Sequence, residues 1–187
     1  MVSAKTLLAS TILALAVPGI VSAQQGPPPG CAEAVHDDFD FWVGSWNVYA
    51  PDDGPYQGQN SITRTEGGCL ITEHWSGASG STGESMNFHD PLVGAWRQVW
   101  VSASAFIDYT GGLDDDGAMV LNGEIYYPGN GVRATFRGAW TLQDDGSVRQ
   151  HFEQADAEGN WSDWFIGIYV RQDDDPRAAE AAAARGE

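Results

Sequence analysis

Short runs of alternating hydrophobic and polar residues make up most of the chain. S-W-N-V-Y-A at 45–50 and V-R-A-T-F-R-G-A-W-T-L at 132–142 are two of them, and both are rich in aromatic and β-branched residues. Such runs are typical of β-strands with one buried face. Turn clusters separate them, such as P-D-D-G at 51–54 and D-D-D-G at 114–117, where glycine supplies the positive φ of a tight hairpin. The pattern predicts about ten consecutive strands joined by hairpins.

A meander of this kind would leave two exposed edges unless its first and last strands pair. We therefore predict an all-β fold, an antiparallel up-and-down β-barrel of about ten strands, with a sandwich as the alternative. The last segment, D-P-R-A-A-E-A-A-A-A-R-G-E, favours a helix through its alanines and through Pro176 at the first helical position. It carries almost no apolar face, which predicts a frayed tail.

Residues 1–23 resemble a secretory signal peptide. Lys5 is followed by the apolar run T-L-L-A-S-T-I-L-A-L-A-V, and the small-residue pattern Val21-Ser22-Ala23 predicts cleavage before Gln24. A membrane anchor would need a longer apolar run. We divide the rest into a Pro/Gly-rich tail (24–36), a barrel (37–172) and an acidic, Ala-rich C-terminal tail (173–187), and we expect a secreted or periplasmic protein.

The net charge of the chain disfavours some classes of binding partner. The formal net charge is −17, and Lys5, within the predicted leader, is the only lysine of the sequence. Strong negative charge argues against nucleic acid or an anionic membrane surface as a partner. Without a lysine, the exported chain has no side-chain amine for Schiff-base chemistry. We expect a monomer or a weak homodimer.

The two cysteines, Cys31 and Cys69, admit two interpretations. In an exported protein they can form one disulfide, which would pin the Pro-rich tail to the first part of the domain. The sequence alone does not show that the two residues meet.

Three segments together carry a family resemblance. They are F-D-F-W-V-G-S-W-N-V-Y at 39–49, G-C-L-I-T-E-H-W at 68–75 and W-R-Q-V-W at 96–100. The chain resembles the lipocalin and calycin superfamily, and in particular a group of uncharacterised bacterial secreted proteins that open with F-D-F-W-x-G-x-W-x-V. The resemblance implies a short N-terminal helical plug at one barrel end, with Trp46 at the barrel base covered by Arg171. The glycine-rich opening of the heme-binding nitrobindins is missing, so the resemblance implies no heme.

Large aromatic residues and two polar ones predict the walls of a cavity. Glu73 and Trp75 share one face of a strand, and Trp96, Gln98 and Trp100 share one face of another, because side chains alternate along a strand. If those faces line the barrel, the cavity suits a flat or partly apolar ligand with one or two polar groups. A filled core is the alternative.

Later strands offer further polar groups for the same cavity. Arg137, Gln150 and Tyr169 are candidates, and Arg137 could hold a ligand carboxylate through a bidentate contact. Alternatively, Arg137 forms an exposed cross-strand pair with Glu153, or it neutralises Glu73 in a filled core.

Three functions follow from these alternatives. We expect a barrel that binds a small apolar or aromatic ligand against tryptophan walls. The second hypothesis is a cofactor-free isomerase or lyase that uses Glu73 as acid and base. The third is a structural or interaction protein with a filled core. The four histidines are widely spaced and the D-D-G turns are explained as hairpins, so we expect no metal and no cofactor.

Overall fold

The computed structural model describes residues 30–186, and the predicted signal peptide lies outside them, as do the first residues of the predicted tail. Ten β-strands account for most of the described residues. They are β1 Gly44–Tyr49, β2 Tyr56–Thr65, β3 Leu70–Gly77, β4 Thr82–Asp90, β5 Ala95–Ser102, β6 Phe106–Leu113, β7 Met119–Tyr127, β8 Val132–Leu142, β9 Val148–Ala155 and β10 Trp161–Arg171.

The strands form one closed antiparallel barrel. Each strand pairs with its neighbours in the sequence, and β1 pairs with β10 to close the sheet. In this closing pair Trp46 lies opposite Arg171 and Tyr49 lies opposite Ile168. The predicted all-β, antiparallel up-and-down barrel of ten strands is confirmed, and the sandwich alternative is not formed.

Strand β10 is irregular. The register between β9 and β10 shifts between Asp163 and Phe165. A bulge of this kind inserts one extra residue and changes which side chains point inward. It explains why the last strand has apolar residues on both faces, and why consecutive residues Trp164 and Phe165 both reach the barrel interior.

The segment before β1 forms two short 3-10 turns, Ala34–Asp37 and Asp40–Trp42, where the sequence predicts a short helix. Phe39 and Trp42 are fully buried. The indole nitrogen of Trp46 donates a hydrogen bond to the carbonyl oxygen of Trp42 at 2.8 Å. This contact fixes the chain direction where it enters β1.

A disulfide between Cys31 and Cys69 ties this N-terminal segment to the turn before β3. Arg64 of β2 adds a second attachment, because its guanidinium donates to the Asp40 carboxylate at 2.6 Å and to the carbonyl oxygen of His36. Of the two interpretations of the cysteines, the structure shows the bonded one. These links hold the segment against one end of the barrel.

The C-terminal residues pack on the outside of the barrel. Helix α1, Ala178–Arg185, follows β10, and Ala181 is fully buried against Tyr49 and Tyr56. The Asp175 carboxylate accepts hydrogen bonds from Asn47 and from the Tyr49 hydroxyl, both at 2.6 Å. The sequence predicts a frayed tail because the helix has little apolar face. It docks instead through one small alanine and a buried carboxylate.

Among residues 30–186, no helix combines the length and hydropathy needed to cross a membrane.

Candidate functional site

A cavity of about 430 Å³ occupies one end of the barrel. Its deep surface contains Glu73, Gln150 and Tyr169, and its rim includes Ser79 and Ser81 from the β3–β4 turn. Between them the walls are mostly aromatic and apolar, and they comprise Trp75, Trp100, Ile107, Phe152, Trp164 and Phe165. A volume in the range of roughly 300–1,000 Å³ is typical of small-molecule sites.

Beneath the cavity, eight inward-facing polar residues form a continuous hydrogen-bonded chain, which we call the polar belt. The chain crosses the barrel from β9 to β6. In bonded order its members are Gln150, Tyr169, Asn60, Glu73, Ser85, Asn87, Gln98 and Tyr109. Buried polar groups that bond to one another avoid the cost of leaving water unpaired.

Strand register explains part of the belt. Glu73 lies directly opposite Ser85, and Gln98 lies directly opposite both Asn87 and Tyr109. Side chains on directly opposite residues of antiparallel strands lie close enough to interact. One inward polar position on each of β3, β5 and β6, and two on β4, therefore suffice to build this half of the belt.

Glu73 lies within the belt and accepts a hydrogen bond from each of its two neighbours. The Asn60 amide donates to its Oε1 at 2.6 Å, and the Ser85 hydroxyl donates to its Oε2 at 2.6 Å. The residue is only 3% exposed, and no cationic side chain pairs with it among the described residues. Burial raises the pKa of Glu73 to about 7, against the opposing effect of the Ser85 and Asn60 hydrogen bonds. At neutral pH the carboxyl therefore exchanges readily between its charged and neutral forms.

Gln150 presents an unused donor to the same cavity. Its Oε1 accepts the hydroxyl proton of Tyr169, which leaves the amide N–H groups without an acceptor among the described residues. Tyr169 is also bonded to Asn60 at 3.2 Å. Burial and the nearby Glu73 carboxyl raise the pKa of Tyr169 well above its usual value, so its hydroxyl stays protonated.

The other half of the barrel is filled. Phe39 stacks on Trp42 with ring centroids 4.8 Å apart, and it meets the edge of Trp140 at 5.2 Å and that of Trp96 at 5.8 Å. All four side chains are at most 3% exposed. The two alternatives for the interior, a cavity and a filled core, thus each describe one half, with the polar belt between them.

The structure brings five of the eight predicted ligand-binding residues to the cavity. They are Glu73, Trp75, Trp100, Gln150 and Tyr169. Gln98 lies in the belt, where it donates to Asn87 and accepts from Tyr109. Trp96 lies at the filled end, and its indole nitrogen donates to the carbonyl oxygen of Val35 at 3.2 Å.

Arg137 lies on the outer face of the barrel, away from both Glu73 and the cavity. Its guanidinium makes a two-point contact with the Glu153 carboxylate at 2.6 and 2.9 Å, and it stacks 4.2 Å from the ring centre of Trp161. The exposed cross-strand pair is thus the alternative that the structure shows. At the barrel base, the guanidinium of Arg171 covers the ring of Trp46 at 4.3 Å.

Sequence reasoning missed several residues of the site. On β10, Trp164 and Phe165 both line the cavity because the bulge breaks the alternation of inward and outward residues. On β4, the polar residues face inward and an apolar residue faces outward, the reverse of the usual pattern. Ser85 and Asn87 are buried, whereas Met86 is 52% exposed. The signal for this inversion is Glu73, because a buried carboxylate requires polar partners on the neighbouring strand.

Three possible metal ligands lie together on the outside of the barrel. His151, Glu153 and Asp163 offer donor atoms within 4.8 Å of one another. Each is already engaged, since His151 contacts Asp163 at 2.8 Å and both Glu153 oxygens accept from Arg137. An ion would have to displace these contacts, so we do not place the candidate site there.

A larger groove of about 680 Å³ follows the outer surface beside the C-terminal segment. Carboxylates such as Asp52, Asp53 and Asp145 line it, without the aromatic walls of the barrel cavity. Its buried acid, Asp175, is already bonded to Asn47 and Tyr49. The groove is a consequence of how the C-terminal segment packs, and the barrel cavity is the better candidate site.

Fold and cavity together define a closed ten-stranded antiparallel barrel, filled at one end and hollow at the other, with a buried carboxyl group at the cavity base. The sequence matches no protein-family model and no curated protein.

Proposed function

We propose that the barrel binds a small apolar or aromatic molecule in its cavity. The observation that carries this proposal is the aromatic-walled cavity of about 430 Å³ at one barrel end. Apolar walls favour a ligand whose surface leaves water on binding. Aromatic walls add edge-to-face or stacked contacts with a flat ligand.

Two polar groups at the cavity base would orient this ligand. Gln150 offers an amide donor, and Glu73 offers an acceptor or, when protonated, a donor. A ligand with a carbonyl or hydroxyl group at one end matches this arrangement. We therefore expect the polar end to enter first, with the apolar remainder between Trp75 and Trp100.

The biological setting that we propose is that of an exported, lipocalin-like binding protein, monomeric or weakly dimeric. The Cys31–Cys69 disulfide supports an oxidising compartment, because cytosolic thiols are kept reduced. The up-and-down barrel and the Trp46–Arg171 stack support the lipocalin likeness. The predicted signal peptide would direct the export.

Titration with N-phenylnaphthylamine tests the binding function. This neutral aromatic amine fluoresces strongly in apolar surroundings, and its lack of charge avoids repulsion by an acidic protein. We expect saturable enhancement at one probe per chain, and an affinity at least about tenfold lower in Trp100→Ala, because this change removes one aromatic wall.

Trp161→Ala is the matched control, since Trp161 lies on the outer face beside Arg137. This variant should retain wild-type affinity for the probe. An absence of enhancement in the wild type, or equal losses in the two tryptophan variants, would contradict binding in the cavity.

A further inference from the structure

The cavity base carries the parts of a proton-transfer site. Glu73 lines the cavity, and its two belt donors, Asn60 and Ser85, each occupy one carboxylate oxygen. A carboxylate has about four acceptor positions, so acceptor positions remain free for a bound molecule. Glu73 is thus the one group of the cavity base that can both remove and return a proton near neutral pH.

A second group is placed to receive negative charge. The Asn60 amide nitrogen lies 2.6 Å from Glu73 and 3.2 Å from the Tyr169 oxygen, and Tyr169 in turn fixes Gln150. The free amide N–H groups of Gln150 therefore lie within one small substrate's length of the Glu73 carboxylate. A fixed N–H donor stabilises an oxygen that gains negative charge during a reaction.

The side chains needed for nucleophilic, Schiff-base or histidine-dependent catalysis do not line this cavity among the described residues. The described residues that line it include no cysteine, lysine or histidine, and its serines at 79 and 81 lie on the rim. Proton transfer to and from carbon needs only a base and a donor. It is also suited to an apolar substrate, because a substrate that displaces water from between the aromatic walls strengthens both interactions.

We propose that Glu73 is a general acid–base that moves a carbon–carbon double bond in a small apolar β,γ-unsaturated ketone, whose carbonyl oxygen accepts a hydrogen bond from Gln150. This inference rests on the proposed binding function. The carboxylate removes a proton from the carbon between the carbonyl group and the double bond. The electron pair of that C–H bond enters the conjugated system, and the negative charge collects on the carbonyl oxygen beside Gln150.

The second half of the reaction returns the same proton. The Glu73 carboxylic acid delivers it to the far carbon of the former double bond, the charge leaves the oxygen, and the conjugated ketone forms. Glu73 ends as a carboxylate, so atoms and electrons balance without a cofactor. One carboxylate suffices because both carbons belong to the same short, flat fragment.

The test uses allyl phenyl ketone and the larger allyl naphthyl ketone with the wild-type protein. Conversion to the conjugated ketone is followed by ultraviolet absorbance, and ketone binding by quenching of tryptophan fluorescence. We expect conversion of at least one ketone, about 100-fold slower in Glu73→Gln and in Gln150→Leu than in the wild type. The wild-type kcat/KM should rise with pH through about 7, since the carboxylate is the active form.

Glu124→Gln is the matched control, because it makes the same carboxylate-to-amide change at a side chain that is exposed on the outer face beside Arg133. It should keep the wild-type rate. Gln150→Leu also leaves Glu73 intact, so the test stands even if Glu73→Gln folds poorly.

Three other results would each contradict one or both proposals. If the ketones bind but convert no faster than with Glu73→Gln, the acid–base role is wrong and the binding function stands. If N-phenylnaphthylamine binds and the ketones do not, the substrate class is wrong and the binding function again stands. If none of the three binds, both proposals fail.

Discussion

Protonation of Glu73 affects both the stability of the fold and the proposed reaction. Its carboxyl group is buried without a cationic partner among the described residues, so desolvation outweighs the two hydrogen bonds from Asn60 and Ser85 and raises its pKa from 4.5 to about 7. A group whose pKa is higher in the folded state binds its proton more tightly there. Its contribution to stability is therefore full below the unfolded-state pKa and is lost as the pH rises through about 7.

We predict that this loss is measurable against Glu73→Gln, whose amide has nearly the same shape and does not titrate. The free energy of unfolding of the wild type relative to the variant should fall by about 3 kcal/mol between about pH 4 and pH 8. Urea denaturation of both proteins across this range measures the difference. A flat difference would show that Glu73 keeps an ordinary pKa, and a rising one would show that folding lowers it.

At the residue scale, the sequence indicates Glu73, Trp75 and Trp100 as cavity residues, because strand alternation puts large aromatics and one acid on shared faces. It does not indicate which of two aromatic-rich ends is hollow. Trp96 and Trp100 lie on the same face of β5, yet one packs at the filled end and the other lines the cavity. The two tryptophans differ only in their position along the barrel axis. Which end of the barrel is filled depends on where the N-terminal segment packs.

Among the secondary-structure elements, the C-terminal segment makes the contact that sequence reasoning underestimates. Helix α1 has a weak apolar face, but Asp175, three residues before its start at Ala178, accepts two hydrogen bonds from β1 and a third from the Arg177 backbone. Hydrophobic patterning detects buried apolar faces and does not detect one buried carboxylate. This is why the strands could be predicted and the docking of the tail could not.

We predict that Asp175→Ala lowers the free energy of unfolding by about 2–3 kcal/mol, because it leaves the Asn47 donor buried without its acceptor and the Tyr49 hydroxyl with only the Arg177 carbonyl oxygen at 3.2 Å. Asp174→Ala is the matched control, since this neighbouring carboxylate is exposed and should change stability by less than about 0.5 kcal/mol. Guanidinium denaturation of both variants measures the two effects. Equal effects would mean that the Asp175 contacts do not stabilise the barrel.

For the whole molecule, the dominant property is its charge. A formal net charge of −17 on a chain of 187 residues makes the folded protein repel itself, because folding brings the carboxylates closer together. Salt screens such repulsion over about 10 Å at 0.1 M ionic strength.

We therefore predict that the melting temperature rises as sodium chloride increases from about 0.02 to 0.2 M, where the Debye length shortens. Differential scanning calorimetry at pH 7 measures this shift. A melting temperature that falls with salt would show that attractive ion pairs, such as Arg64 with Asp40, outweigh the general repulsion.

The pairing of β1 with β10 bears on how the chain reaches its native state. All other strand pairs join neighbours along the chain, and hairpins of this kind form early and locally. The closing pair joins residues more than a hundred positions apart, from Trp46 to Arg171, and the C-terminal segment then packs across β1. During synthesis the barrel cannot close before β10 has emerged, so the final folding step follows synthesis of the residues up to Arg171.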